Sequence, residues 1–332
     1  MASPLDCLLD SSVVLSFDGT GYRRHAKGFA PGDLDVDLSG RTALVTGANS
    51  GIGRATAAVL ARLGARVILG CRDAERGREA AASIRAEAGG PDLRSNAPVR
   101  SSLSVRCERL DVADGASVKD LARRLRGIPL HVLVHNAGVL PDRRQETTDG
   151  LERTLATNLA GPHLLTRLLL PSLSKAGRAR VVFVSSGGMY TQRLDVASLE
   201  APPESPFDGV AAYARTKRAS VVLSGLWAER CGEGGVTFNA MHPGWADTPG
   251  VRTSLPLFWS LTRGILRTAE EGADTVVWLA ASAAAEGRTG EFWFDRRVRS
   301  PWLLPFTRES EAERARLWTA CEAWADRMDR GG

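Results

Sequence analysis

From residue 41 onward, short runs of β-branched and apolar residues alternate with segments whose apolar residues recur at helical spacing. The runs 41–46, 65–71, 105–110, 130–135, 181–186, 236–241 and 291–295 each read as a buried strand. Helices are expected at 54–63, 73–88, 113–126, roughly 150–173, 210–230 and 272–285. A charged terminal helix follows at 309–329, with Leu317, Trp318 and Trp324 on its apolar side. Strand and helix alternating at this spacing predict an α/β fold, a doubly wound parallel sheet of about seven strands with helices on both faces.

The pattern also divides the chain. Residues 1–38 form an N-terminal extension, 39–296 a single domain, and 297–332 a C-terminal helical extension, with no interdomain linker between them. The extension carries a small basic patch, Tyr22 to Lys27, which reads as part of a helical arm packed on the domain surface. Residues 89–102 form a polar, Pro-containing loop, 187–209 an insertion containing Pro and acidic residues, and 249–271 an apolar, irregular stretch.

Composition narrows the function. The net charge of +5 arises from 43 basic and 38 acidic residues mixed along the chain, without a basic block, so nucleic acid is not an expected partner. The five cysteines are scattered and lack CxxC spacing, which suggests neither a disulfide framework nor a zinc site. No signal peptide is read in the first 17 residues and no apolar run reaches the ~18 residues needed to span a bilayer. The expected setting is cytoplasmic, with peripheral membrane association and homo-oligomerisation left open.

Three stretches carry chemistry. Thr46 to Gly53 follows the first strand and opens a helix, the arrangement that sets bare backbone N–H groups and a helix dipole against a pyrophosphate. Gly47 suits the tight turn, Gly51 a close backbone approach, and Gly53 close helix packing. The second strand ends in Cys71-Arg72, where NAD-binding chains carry an acidic residue for the ribose. A guanidinium without a carboxylate favours a 2′-phosphate, so NADP(H) is the expected cofactor and NAD(H) the alternative. Tyr213 and Lys217 stand one helical turn apart, and an ammonium beside a phenol is expected to lower its pKa.

Two further polar residues stand out. Asn158 interrupts a helix with a poor helix former, fit either to hydrogen-bond a neighbouring strand or to hold a water. Ser186 leaves the fifth strand, as a turn-forming hydroxyl or a carbonyl-polarising donor.

The glycine motif, Asp111 after the third strand, Asn136-Ala137-Gly138, Asn158, Ser186, Tyr213 with Lys217, and Pro243-Gly244 with Thr248 stand in an order that resembles the short-chain dehydrogenase/reductase family over residues 40–296. The resemblance implies a Rossmann-type sheet and hydride transfer between a nicotinamide and a carbonyl or alcohol. It implies Tyr213 as acid/base, Ser186 as hydrogen-bond donor to the substrate oxygen, Lys217 as partner of the phenol and the nicotinamide ribose, and Asn158 as holder of a relay water. It places the cofactor against Gly47, Asn49, Ser50, Gly51, Ile52, Gly53, Arg72, Asp111, Val112, Asn136, Ala137, Gly138, Tyr213, Lys217, Pro243, Gly244 and Thr248. No metal is required, because a serine and a tyrosine polarise the carbonyl.

The chain departs from the family pattern at His135, where an asparagine is usual, and in the 27 residues from Ser186 to Tyr213. A non-catalytic cofactor sensor or scaffold would not need Asn158, Ser186, Tyr213 and Lys217 together. The substrate is expected to be a bulky, largely apolar carbonyl compound or secondary alcohol. Leu255, Leu257, Phe258, Trp259, Leu261, Ile265 and Leu266 follow the sixth strand and are placed to close over it. The same segment could instead dock to a lipid surface.

Overall fold

In the parallel core of the computed structural model the central strands are covered by helices on both faces, which is why they are continuous apolar runs, whereas the edge strand Val105–Arg109 is polar and partly exposed. The structure describes residues 10, 13–88, 104–200, 202, 204–231, 234–303 and 307–331. The expected 89–102 loop lies outside them. The strands are β1 (Thr42–Thr46), β2 (Arg66–Cys71), β3 (Val105–Arg109), β4 (Val132–His135), β5 (Ala179–Val184), β6 (Val236–Met241), β7 (Phe292–Phe294) and β8 (Arg297–Val298). Their order is β3-β2-β1-β4-β5-β6-β7-β8. All neighbours pair parallel except β7 and β8, which are antiparallel. The eighth strand goes beyond the expected seven; at two residues it is too short to leave a periodic signal.

The winding reverses between β1 and β4, so a crevice opens beyond their carboxyl ends. On one face, the helices Gly51–Arg62 and Ala269–Ala281 cover Val45, Val67, Leu69, Val134 and Val182. On the other, Gly161–Lys175, Gly209–Cys231 and the C-terminal helix Glu311–Arg330 bury Leu44, Ile68, Leu133 and Val181. That last helix contributes Leu317, Cys321, Trp324 and Met328 to the same core. Trp324 Nε1 also donates to Glu200 in the insertion after β5 at 2.8 Å.

The single helix expected at 150–173 is divided. A short α-helical turn, Arg153–Leu155, leads into a π-helical turn, Ala156–Ala160, before the α-helix Gly161–Lys175. Asn158 lies inside the π turn. The 249–271 stretch, expected to be irregular, contains the short helices Pro249–Ser254 and Pro256–Thr262.

The N-terminal arm is helical, as Val13–Phe17 and Gly19–Ala26, but its patch is not simply a solvated surface. His25 is buried, with Nδ1 2.6 Å from Asp295 Oδ2 and Nε2 2.6 Å from Asp10 Oδ1. Arg267, also buried, pairs with Asp295 at 2.6 and 2.9 Å and donates to the backbone carbonyls of Ser16, Phe17 and Asp18. Asp295 thus anchors the arm. Hydrogen bonds from His25 and Arg267 outweigh burial and hold its carboxyl below the usual carboxylate range. Asp295 and Arg296 form the turn between β7 and β8 at φ 48° and 55°, a left-handed conformation that short polar side chains tolerate better than most. Among the described residues, no helix is long and apolar enough to cross a membrane.

Candidate active site

The glycine turn is built by backbone conformation and by side chains from the next strand. Gly47 and Gly51 adopt φ values of 65° and 56°, and Gly53 packs against Asn136 and the Gly47 carbonyl with no room for a side chain. Asn136 Nδ2 donates to the carbonyls of Thr46 and Gly47 at 2.9 and 3.2 Å. Thr46 Oγ1 receives the N–H groups of Asn136 and Ala137, each at 3.0 Å. These bonds lock the turn to the exit of β4 and fix the width of the crevice.

The helix Gly51–Arg62 is entered through Ser50 without a side-chain cap, which leaves its first N–H groups available to an anion. The donor set therefore fits a dinucleotide pyrophosphate. Asn49 and Ser50 are half-buried on this rim, while Ile52 turns its side chain onto Gly272. The loop after β6 closes in from the other side. Thr248 caps the helix Pro249–Ser254 through Val251 N–H at 3.3 Å, and a Cβ on Gly51 would fall 3.2 Å from its methyl. Pro243 and Gly244 lie in the same loop, with Gly244 backed by Arg267 and the Phe17 carbonyl.

At the far end, Arg72 is exposed and its guanidinium has no partner among the described residues. Asp73, its neighbour, is engaged instead with the N–H groups of Glu75 and Arg76 at 3.0 and 3.1 Å. The Cys71 thiol is buried under the turn beside Cys107, and burial pushes it up to about 12. Asp111 folds onto its own turn, accepting Ala113 N–H at 3.0 Å. Val112 is a core side chain, so any cofactor contact there would come from its backbone.

Beyond the glycine turn, the four candidate catalytic residues converge from three elements. Ser186 leaves β5 and accepts Gly188 N–H at 3.2 Å, and its side chain lies beside the half-buried Tyr213 phenol. Lys217, buried one turn along the Gly209–Cys231 helix, donates from Nζ to the Val184 carbonyl at 2.8 Å. Asn158 Oδ1 accepts Val139 N–H at 2.9 Å, and its Nδ2 donates to Val139 O and Thr216 Oγ1 at 3.2 and 3.0 Å. Of its two readings, bonding the exit of a neighbouring strand is thus present. A Cβ on Gly138 would lie 3.3 Å from Lys217 Nζ and 3.4 Å from Asn158 Oδ1, so this glycine keeps the floor open.

The expected electrostatics need one correction. Burial raises the Tyr213 phenol above its ordinary value, partly offset by the neighbouring Ser186. The Lys217 ammonium stands 5.6 Å over the ring centroid and donates to the Val184 carbonyl, which leaves burial the larger influence on the phenol. Burial instead pulls Lys217 itself down to about 8. His135, the departure at the end of β4, points away from the crevice. It is buried against Phe183, contacts Thr166 Oγ1 at 2.8 Å, and is held near 3 by desolvation.

Periodicity did not mark Ser185, whose hydroxyl donates to the Lys217 carbonyl at 2.8 Å, or Thr216, which bonds Asn158. Their positions beside Ser186 and Lys217 were the only available signal.

A family model described as short chain dehydrogenase matches residues 41–256. The chain belongs to the short-chain dehydrogenase/reductase family. It is an NAD(P)-dependent oxidoreductase acting on CH–OH and carbonyl groups. This short-chain dehydrogenase/reductase is similar to dehydrogenase/reductase SDR family member 12 of Homo sapiens, at 40% identity over 304 residues and 90% of each chain. It is 39% identical to polyprenol dehydrogenase of Mus musculus over 292 residues, 84% of this chain and 82% of that one. A solved short chain dehydrogenase/reductase family protein superposes with a TM-score of 0.59 at 29% identity, covering 78% of this chain and 96% of that one.

Proposed function

We propose that this enzyme interconverts a bulky apolar carbonyl compound and its alcohol using NADP(H), with Tyr213 handling the proton. The observation that carries this reading is the placing of Ser186 beside the Tyr213 phenol near the Gly138 floor, with Lys217 buried behind it. The nicotinamide, when bound, supplies or accepts the hydride. A phenol kept protonated by burial is suited to donate to a carbonyl oxygen, and Ser186 to share the charge that develops there. Lys217 spends one N–H on Val184 and has two left for ribose hydroxyls. Asn158 holds the β4 exit in place, and its carbonyl oxygen retains a lone pair for a relay water.

Arg72 is the residue that would select NADP(H). Arg72→Ala is expected to weaken NADPH binding by on the order of tenfold or more, the worth of a charge-assisted hydrogen bond, while NADH binding stays nearly unchanged. Fluorescence titration of the native protein and of Arg72→Ala with both cofactors checks this. Equal native affinities would count against Arg72 as a phosphate reader.

The apolar substrate is supported by Phe258, which meets Trp245 edge-on at 5.2 Å, and by the name of one relative, polyprenol dehydrogenase. Across a homologous series of straight-chain aldehydes, kcat/KM is expected to rise with each methylene, since burial contributes roughly 25 cal/mol per Å². Phe258→Ala should flatten that rise.

Leu257 and Leu261, in contrast, are 73% and 78% exposed, one turn apart on the outside of the segment expected to close over the substrate, between the exposed Arg252 and Arg263. This outward pair supports a second role, peripheral contact with a lipid surface. In liposome flotation the native protein is expected to float with anionic vesicles and the Leu257→Asp/Leu261→Asp variant to remain at the bottom. A native protein that never floats would end this reading.

A further inference from the structure

The first helix of the N-terminal arm ends where the arm meets the catalytic side of the sheet. Phe17 lies between the turns that leave β5 and β6. Its ring presses on Gly187, the residue after Ser186, where a Cβ would fall 2.6 Å from Phe17 Cε2. Residue 187 has no side chain, and the Phe17 ring stands in the volume that one would occupy. The Phe17 carbonyl receives Trp245 N–H at 2.8 Å and Arg267 Nε at 2.9 Å, which fixes the arm against the loop containing Pro243 and Gly244.

The ring is also part of a larger aromatic face. Its centroid is 6.4 Å from Tyr190 and 6.2 Å from Trp245, perpendicular to the latter, and Trp245 in turn meets Phe258. The face runs from the Ser186 turn to the segment after Thr248, and its middle member comes from the arm. Arg267 bonds the carbonyls of Ser16, Phe17 and Asp18 together, so residue 17 cannot slide along this wall without losing three buried hydrogen bonds.

We propose that the N-terminal arm completes the substrate site, with Phe17 as a specificity-determining residue that limits its width beside Ser186. The chemistry it selects is a flat apolar carbonyl compound narrow enough to lie along an aromatic face. The inference rests on the reading of Tyr213 and Ser186 as the reacting pair. Phe17 touches no reacting atom; it shapes the space next to one.

The test compares benzaldehyde, 2-naphthaldehyde and 9-anthraldehyde as substrates of the native protein, Phe17→Leu and Phe17→Ala. The ratio of kcat/KM for the widest to the narrowest aldehyde is expected to rise about tenfold in Phe17→Ala and by less in Phe17→Leu. Saturation-transfer NMR of the same aldehydes on cofactor-free protein should show affinities shifting in the same order. Phe17→Leu keeps apolar volume on Gly187 and supplies the answer if the alanine variant does not fold. A parallel fall for all three aldehydes, or an unchanged ratio, would overturn the proposal, as would no binding of any of them to the native protein. Binding without turnover would count against the Tyr213–Ser186 reading, and the order of affinities alone would then decide the role of Phe17.

Discussion

Tyr213→Phe is expected to lower turnover by roughly 10²–10⁴-fold while cofactor affinity stays nearly intact, because the ring and its packing remain and only the transferable proton is lost. The structure sharpens this expectation. Burial raises the Tyr213 phenol beside Ser186, so on the proposed reading it stays protonated and able to donate at neutral pH. On that reading its loss would leave the Ser186 hydroxyl to polarise the carbonyl alone. Ser186→Ala should cost less, on the order of 10²-fold in kcat, since it removes a hydrogen bond and no proton. Steady-state kinetics with parallel cofactor titration separate the outcomes. Substantial turnover in Tyr213→Phe would remove this residue from the mechanism.

The second large effect concerns stability. Asp295→Ala would leave Arg267 and His25 buried without their shared carboxylate, and deleting one member of a buried charge cluster costs about 3–5 kcal/mol. It would also place alanine at φ 48°, which adds strain. Asp295→Asn keeps the tolerant backbone and a hydrogen-bond acceptor, so its loss should be smaller. The control is Arg327→Ala, which breaks a pair with Glu200 in which both side chains are nearly half exposed, together with an exposed hydrogen bond to the Gly150 carbonyl; such exposed pairs contribute roughly 0–1 kcal/mol. Denaturant unfolding monitored by tryptophan fluorescence measures all three. A loss for Asp295→Ala no larger than the control's would mean that the arm is held by its apolar contacts alone.

Much of this site could be read in the chain because its residues sit at the ends of strongly periodic elements. Thr46 to Gly53, Asn136 and Ser186 all follow buried strands, so finding the strands located the crevice. Asn158 was marked by its poor fit to a helix, and that misfit proved to be a π-helical turn, a feature often found at functional sites. Spacing placed Lys217 beside Tyr213 but not the direction of its ammonium, which depends on the Val184 carbonyl from another strand. The role of the arm was less accessible still. His25 lay in a run of basic residues, and nothing near it signalled a carboxylate 270 residues away. The exposed faces of Leu257 and Leu261 were similarly hidden in a segment rich in apolar residues without a clear period.

The position of Asp295 has a consequence for synthesis. At roughly 5–20 residues per second, a ribosome would need about 14–54 s after making His25 to reach the Asp295 that receives it. During that interval the arm lacks the carboxylate that holds His25, and until Trp245 and Arg267 are made Phe17 must wait with its apolar surface exposed or held elsewhere. The parallel strands β1 to β6 can associate in the meantime, so the arm should be among the last pieces to seat. A nascent chain stalled before residue 292 would then carry an assembled crevice whose arm is held without Asp295, a form distinguishable from the finished enzyme by faster protease cleavage within the first 38 residues.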